Sequence, residues 1–129
     1  MAAFTLKKSE ILSSKKEIAL LFKNPVLLFK YPFKLYYSIE PANNDEITSL
    51  KYAVSIPKKN IKKAAKRNLL KRRTKESFRL LKGNINTDYL KGKNINIMFV
   101  YISSDIEEYS NIYSSIEKLI QKLNIELKR

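Results

Sequence analysis

The chain contains no cysteine and no histidine. Without thiols it can form no disulfide, build no thiolate zinc site and offer no sulfur nucleophile, a composition suited to a reducing compartment. Without imidazole it lacks the commonest general base and metal ligand. Acids are scarce too: 12 Asp and Glu stand against 26 Lys and Arg, a formal net charge of +14. A protein nuclease needs histidines, or carboxylates gathered on a metal. The acids Asp45, Glu46, Asp88, Asp105, Glu107, Glu108 and Glu117 fall mainly in expected loops and helix starts. The protein is therefore expected to supply no catalytic group and to bind no metal tightly by itself. Long apolar runs are also missing. The longest cluster, Val26 to Phe33, is broken by Lys30 and Pro32, far short of the roughly 20 residues that span a bilayer. Met1 to Leu12 mixes polar and apolar residues rather than forming a signal peptide. These absences predict a soluble, cytoplasmic protein with no membrane partner.

What is present is concentrated. At 129 residues with 44% apolar content, the chain suffices for one hydrophobic core, and one domain over residues 1–129 is expected. Between Lys58 and Arg79 lie eleven of the 26 basic side chains and one acid, Glu76. Charge packed this tightly raises a local potential that draws in a polyanion, and nucleic acid is the expected partner.

Along the chain, Ser14-Lys15-Lys16-Glu17 has the pattern of a capping box, with Ser9 as an earlier start. Ile18, Leu21 and Phe22 continue it as a short amphipathic helix that Asn24-Pro25 should end. Alternation at Phe33, Leu35, Tyr37 and Ile39 predicts a strand whose other face carries Lys34, Tyr36 and Ser38. Pro41 to Ser49 reads as a loop, and Leu50 to Ile56 as a second strand stopped by Pro57, antiparallel to the first. A basic helix is expected from about Asn60 to Leu81, closed by Gly83 in the left-handed conformation. Asn94 to Ile102 alternates as a further strand. Ser104-Asp105-Ile106-Glu107 then reads as a second capping box, explaining Asp105 and Glu107. It opens a helix with an apolar stripe of Ile106, Tyr109, Ile112, Tyr113, Ile116, Leu119, Ile120, Leu123 and Leu127. The fold class is α+β, a two-layer α-β sandwich in the order αββαβα, with room for an extra short strand near Val26 to Phe29.

On a helical wheel, Asn68, Lys71, Arg72, Lys75 and Arg79 share one face, while Leu70, Thr74, Ser77, Phe78 and Leu81 fall opposite. One face docks and the other binds. Arg suits forked contacts with phosphate, Lys a flexible point contact, and Asn68 a hydrogen bond to phosphate, sugar or base edge. The plainer reading of any basic helix is a solvated surface, and the near absence of acids argues against it here.

The segment Lys63-Ala64-Ala65-Lys66-Arg67-Asn68-Leu69-Leu70-Lys71-Arg72-Arg73-Thr74-Lys75-Glu76-Ser77-Phe78-Arg79 resembles the signature helix of the bacterial ribonuclease P protein subunit. That family's pattern is an Arg-Asn pair, then Lys-Arg, then a basic-acidic pair and an aromatic-Arg pair. The resemblance extends upstream through Tyr52 to Lys59, and Leu6, Leu12, Phe22 and Lys23 are similar to the family's N-terminal segment. The chain departs from the pattern at four places. Arg73 and Thr74 stand where aliphatic residues are usual, making the docking face less apolar. Lys75 replaces a frequent Arg, and Ile18 a frequent Phe.

The resemblance implies a left-handed crossover between the strands flanking the basic helix, an exception to the usual handedness. It also implies a protein cofactor for a ribozyme. In that family the RNA subunit holds the magnesium ions and hydrolyses the phosphodiester bond that frees the 5′ end of transfer RNA, while the protein binds the precursor's 5′ leader. Carried onto this chain, the RNA-subunit-binding residues are Lys58, Lys59, Lys62, Lys63, Lys66, Arg67, Asn68, Lys71, Arg72, Lys75 and Arg79. Phe22, Tyr36, Lys51 and Ser55 are the leader-binding residues, aromatics for stacking beside polar and cationic groups. Phe22 taken alone reads more often as core, and Tyr109 and Tyr113 read as core of the last helix. The expected partners are ribonuclease P RNA and precursor transfer RNA, with no obligate protein partner. A small ribosomal protein or assembly factor would share the charge and the fold class. A membrane-active amphipathic helix would need an exposed apolar face, and here the core requires that face.

If phosphate neutralisation dominates binding, affinity for structured RNA will fall steeply with salt. The log-log slope should reach several units if about five or more phosphates are contacted. A nearly flat titration between about 50 and 200 mM salt would contradict this.

Overall fold

The computed structural model describes residues 15–23, 25–41 and 49–129. The expectations resting on Met1 to Leu12, Ser9, Ser14, Asn24, Asp45 and Glu46 lie outside them. The elements run α1 (Lys15–Lys23), β1 (Val26–Lys30), β2 (Phe33–Pro41), β3 (Ser49–Ser55), α2 (Ala64–Leu81), β4 (Lys93–Tyr101) and α3 (Tyr109–Lys128). Short 3-10 turns at Lys82–Asn84 and Thr87–Leu90 link α2 to β4. The expected order holds, with the extra short strand present as β1. Tyr31-Pro32, joined by a cis peptide bond, turns β1 back onto β2.

The sheet order is β1-β2-β4-β3. The expected pairing of β2 with β3 is therefore wrong: β4 lies between them, antiparallel to β2 and parallel to β3. Alternation determines which face a side chain takes but not which strand lies alongside. The informative feature is Ile95 to Phe99, five consecutive buried positions in β4, as a central strand covered on both faces requires.

On one face Phe33, Leu35 and Tyr37 of β2, Tyr52 of β3, and Ile95, Ile97, Phe99 and Tyr101 of β4 meet α2 and α3 in the main core. The predicted docking face of α2, Leu70, Thr74, Ser77, Phe78 and Leu81, is the face that is buried. Thr74 and Ser77 are tolerated there because each hydroxyl donates to the carbonyl four residues back, Leu70 and Arg73, at 2.8 Å. Phe78 sits between Tyr52 at 4.8 Å and Phe99 at 5.3 Å, and Phe33 carries the ring contacts on to Tyr101. On the other face α1 packs Leu21, with Ile18 beside it, against Met98, Ala53 and Val100.

The ends of α2 differ from expectation. Asn60 precedes the helix, in a turn where its amide and that of Ile61 bond to the Pro57 carbonyl and its side chain donates to the Tyr101 carbonyl. Ile61 is buried and pulls residues 61–63 into an extended approach, so the helix begins only after Lys63. Gly83 is not left-handed. The chain continues right-handed into the 3-10 turn, and Gly92, at φ 71°, is the glycine with positive φ.

The start of α3 also differs. Its N-cap is Glu108, without a side-chain cap bond, so Ser104-Asp105-Ile106-Glu107 is not a capping box. Instead the Asp105 amide donates to Ser103 Oγ at 3.0 Å, and Tyr101, whose hydroxyl is pushed up in pKa mainly by burial, donates that proton to the Asp105 carbonyl. Burial of Tyr101 fixes the approach segment from below, and the helix starts where those bonds release it. Of the predicted stripe, Ile112, Ile116, Leu119, Ile120 and Leu123 are buried and Tyr113 and Leu127 pack at the margin. Ile106, which precedes the helix, and Tyr109, its first residue, are exposed.

Phe78→Ala should cost about 3 to 5 kcal/mol, a large share of the roughly 5 to 15 kcal/mol that holds a domain folded. Arg72→Ala, at an exposed position, should melt like the parent. Thermal or urea unfolding of the two variants checks the rotation of α2, and the reverse result would overturn it.

Candidate nucleic-acid interface

The basic residues divide between a turn and a helix. Lys58, Lys59, Lys62 and Lys63 lie on the turn and extended approach, all exposed, while Lys66, Asn68, Arg72 and Lys75 are exposed on α2 with Lys71 partly so. The first turn of α2 carries no acid, and Lys63 offers no side-chain cap. Lys66 and Arg67 thus sit at the positive end of the helix dipole, an arrangement that repels itself and favours an external anion.

Some of the predicted cations also serve the chain itself. Arg67 is committed to the chain itself: its Nη1 donates to the carbonyls of Ile61 at 2.9 Å and Lys62 at 2.7 Å, clamping the approach segment onto the helix. Arg79 is paired with Glu76 one turn back, and that hydrogen bonding holds the Glu76 carboxyl below its ordinary pKa. Arg73, a departure from the family pattern, donates to the Glu107 carbonyl at 2.6 Å and ties α2 to the entrance of α3. Sequence reasoning missed these clamps, because a guanidinium that serves a backbone carbonyl looks the same in sequence as one that awaits phosphate.

The second group of predicted residues converges on the opposite face of the sheet. Registers place Tyr36 of β2 beside Met98 of β4, which lies beside Ala53 of β3; Lys51 and Ser55 flank Ala53 on the same face. Phe22 of α1 reaches down to Tyr36 with ring centroids 5.1 Å apart and planes tilted at 59°. Phe22 is exposed, and it is Leu21 that enters the core. Ile18 packs half-buried into the same cluster, which accounts for an aliphatic residue there. Ser38 Oγ, next to the buried Asn96 in register, is buried with no hydrogen-bond partner and leaves an unused polar group on this face. The two surfaces adjoin at the edge strand β3, where Ser55 stands three residues before Lys58.

Comparison with known proteins bears on the family and the fold. The chain resembles the Ribonuclease P protein component of Porphyromonas gingivalis, with 29% identity over 124 residues, covering 95% of this chain and 88% of the relative. A shorter match to the Ribonuclease P protein component of Buchnera aphidicola has 38% identity over 63 residues, covering 48% and 55% of the two chains. In fold it is similar to the RNase P protein of Staphylococcus aureus, with TM-score 0.66, 22% identity and coverage of 92% and 98%. It is likewise similar to that of Thermotoga maritima, with TM-score 0.63, 23% identity and coverage of 88% and 96%. The sequence pattern of the Ribonuclease P family matches residues 6–124, and the chain belongs to the ribonuclease P protein family.

Proposed function

We propose that the protein docks on ribonuclease P RNA through the exposed side of α2 and the lysine turn before it, and holds the 5′ leader of precursor transfer RNA across the α1 face of the sheet. As a protein component of ribonuclease P it is part of an endoribonuclease complex of tRNA processing, associated with that enzyme's RNA, rather than a ribosomal protein or assembly factor. The RNA-subunit contacts are Lys58, Lys59, Lys62, Lys63, Lys66, Asn68, Lys71, Arg72 and Lys75. Arg67 and Arg79 add field while their heads serve the fold. The leader contacts are Phe22, Tyr36, Lys51 and Ser55.

The observation that carries this reading is the separation of chemistries by the sheet. The exposed cations of α2 and the turn before it suit the phosphates of a folded RNA. The Phe22–Tyr36 ring pair suits the unstacked bases of a single strand. Hydrolysis is assigned to the RNA subunit and its magnesium, a division of labour that suits a chain without histidine or cysteine. The protein then acts by binding and positioning the substrate, which lowers the entropic part of the barrier. Among the described residues no helix is long and apolar enough to cross a membrane, and the proposed site of action is the cytoplasm.

Lys71→Ala and Arg72→Ala should weaken assembly with ribonuclease P RNA and reduce the salt slope by about one unit each, without lowering the melting temperature. Tyr36→Ala, tested in the assembled complex, should reduce affinity for precursor bearing a 5′ leader while sparing mature transfer RNA. Loss of one stacked base is worth about 1 to 3 kcal/mol, or roughly five- to a hundredfold. Equal loss for both ligands would remove the leader from this face. Equal binding of both ligands by the wild-type complex would overturn the functional reading.

A further inference from the structure

The α1 face does not end at Tyr36. In the β1–β2 register Leu27 lies directly opposite Tyr36, and Phe29 directly opposite Lys34. Side chains alternate along a strand, so Leu27, Phe29, Lys34 and Tyr36 all project to the face that α1 partly covers. Leu27 is 48% exposed, Phe29 50% and Phe22 42%. A continuous strip of apolar and aromatic surface therefore runs from Phe22 over Tyr36 and Leu27 to Phe29, with a lysine beside its far end. Phe29 and Tyr36 are diagonal cross-strand neighbours, a spacing of about 7 to 8 Å, which leaves room for each ring to receive a separate base.

Apolar side chains half-exposed at a sheet edge need a ligand or a reason to stay bare. Two features of the edge argue against an added strand. Lys122 of α3 donates to the Phe29 carbonyl of β1 at 2.7 Å, and Ser115 donates to the Tyr31 carbonyl in the turn that follows at 2.8 Å, so α3 already holds this end of the edge. What remains accessible is side chains, an aromatic ring beside a cation, which is the combination that holds single-stranded nucleic acid.

Resting on the leader-binding reading above, we infer that β1 extends the RNA tract beyond Tyr36: Phe29 stacks on a further leader base and Lys34 meets the adjoining phosphate. The occupant is single-stranded RNA continuous with the segment on Phe22 and Tyr36. Phe29 and Lys34 thereby act only on leaders long enough to reach β1.

The test uses the complex reconstituted with a bacterial ribonuclease P RNA and precursors whose 5′ leaders are lengthened one nucleotide at a time. Wild-type protein should gain affinity in two stages, the first abolished by Tyr36→Ala. Phe29→Ala should remove only the second, lowering affinity for long leaders about five- to a hundredfold while short-leader and leaderless RNA bind unchanged. Phe29→Leu, which keeps the apolar bulk of the edge strand but not the ring, should show the same loss and decides the matter if Phe29→Ala fails to fold. Phe29→Tyr should restore the second stage. Lys34→Gln should lower the salt slope for long leaders by about one unit.

If Phe29→Leu matches wild type at every leader length while Tyr36→Ala still loses leader binding, the extension is wrong and the leader-binding reading stands. If Tyr36→Ala has no leader-dependent effect either, that reading fails and takes the extension with it. A wild-type dimer in sedimentation that Phe29→Leu dissociates would assign the strip to a second copy of the chain and overturn the inference.

Discussion

The orientation of α2, and with it the direction its charges face, depends on the seat of Phe78. Its ring lies between Tyr52 of β3 and Phe99 of β4, the two strands that α2 connects. That one contact sets the rotation of a helix whose opposite side is loaded with like charge. Such charges repel one another and work against compactness. Burial of Leu70, Phe78 and Leu81, each at 2% exposure or less, supplies the opposing free energy. At roughly 25 cal/mol per Å² of apolar surface removed from water, three large side chains contribute several kcal/mol, enough to hold the basic face in one orientation before any RNA arrives.

The count of positive charges overstates the number of hands available to a ligand. Arg67 and Arg73 each spend their guanidinium on backbone carbonyls, and Arg79 is engaged with Glu76. The planar, multi-donor arginine head suits such clamps, since one group can satisfy two carbonyls at once. On the proposed reading, phosphate contact falls largely to lysines and Arg72. Flexible point charges fit a surface that must follow an irregular backbone, and the clamped arginines still add to the field that steers RNA inward.

The sheet separates two kinds of surface. Its core face binds α2 and α3, and the outer side of α2 carries the charge. Its other face is only partly covered by α1, so that rings and polar groups stay accessible there. Because β4 is central and buried on both sides, the two surfaces are held rigidly relative to each other. Rigidity of this kind would let a protein bound to one RNA present a second RNA in a defined position.

The sequence by itself determined the composition-level exclusions, the existence and type of the elements, and the buried face of α2. Each follows from local periodicity: Leu70, Thr74, Ser77, Phe78 and Leu81 recur at the spacing of a helix, and Phe33, Leu35 and Tyr37 at that of a strand. Tertiary structure alone decided what depends on partners distant in the chain. It inserted β4 between β2 and β3, since pairing is a choice among strands with equally good patterns. It turned the Ser104–Glu107 segment away from capping, because the buried Tyr101 hydroxyl holds the Asp105 carbonyl. It assigned Arg67 and Arg73 to carbonyls, left Gly92 rather than Gly83 with positive φ, and set Phe29 beside the Phe22–Tyr36 pair. Periodicity reports which side of an element faces inward, whereas which neighbour awaits there is set by the packing of the whole chain.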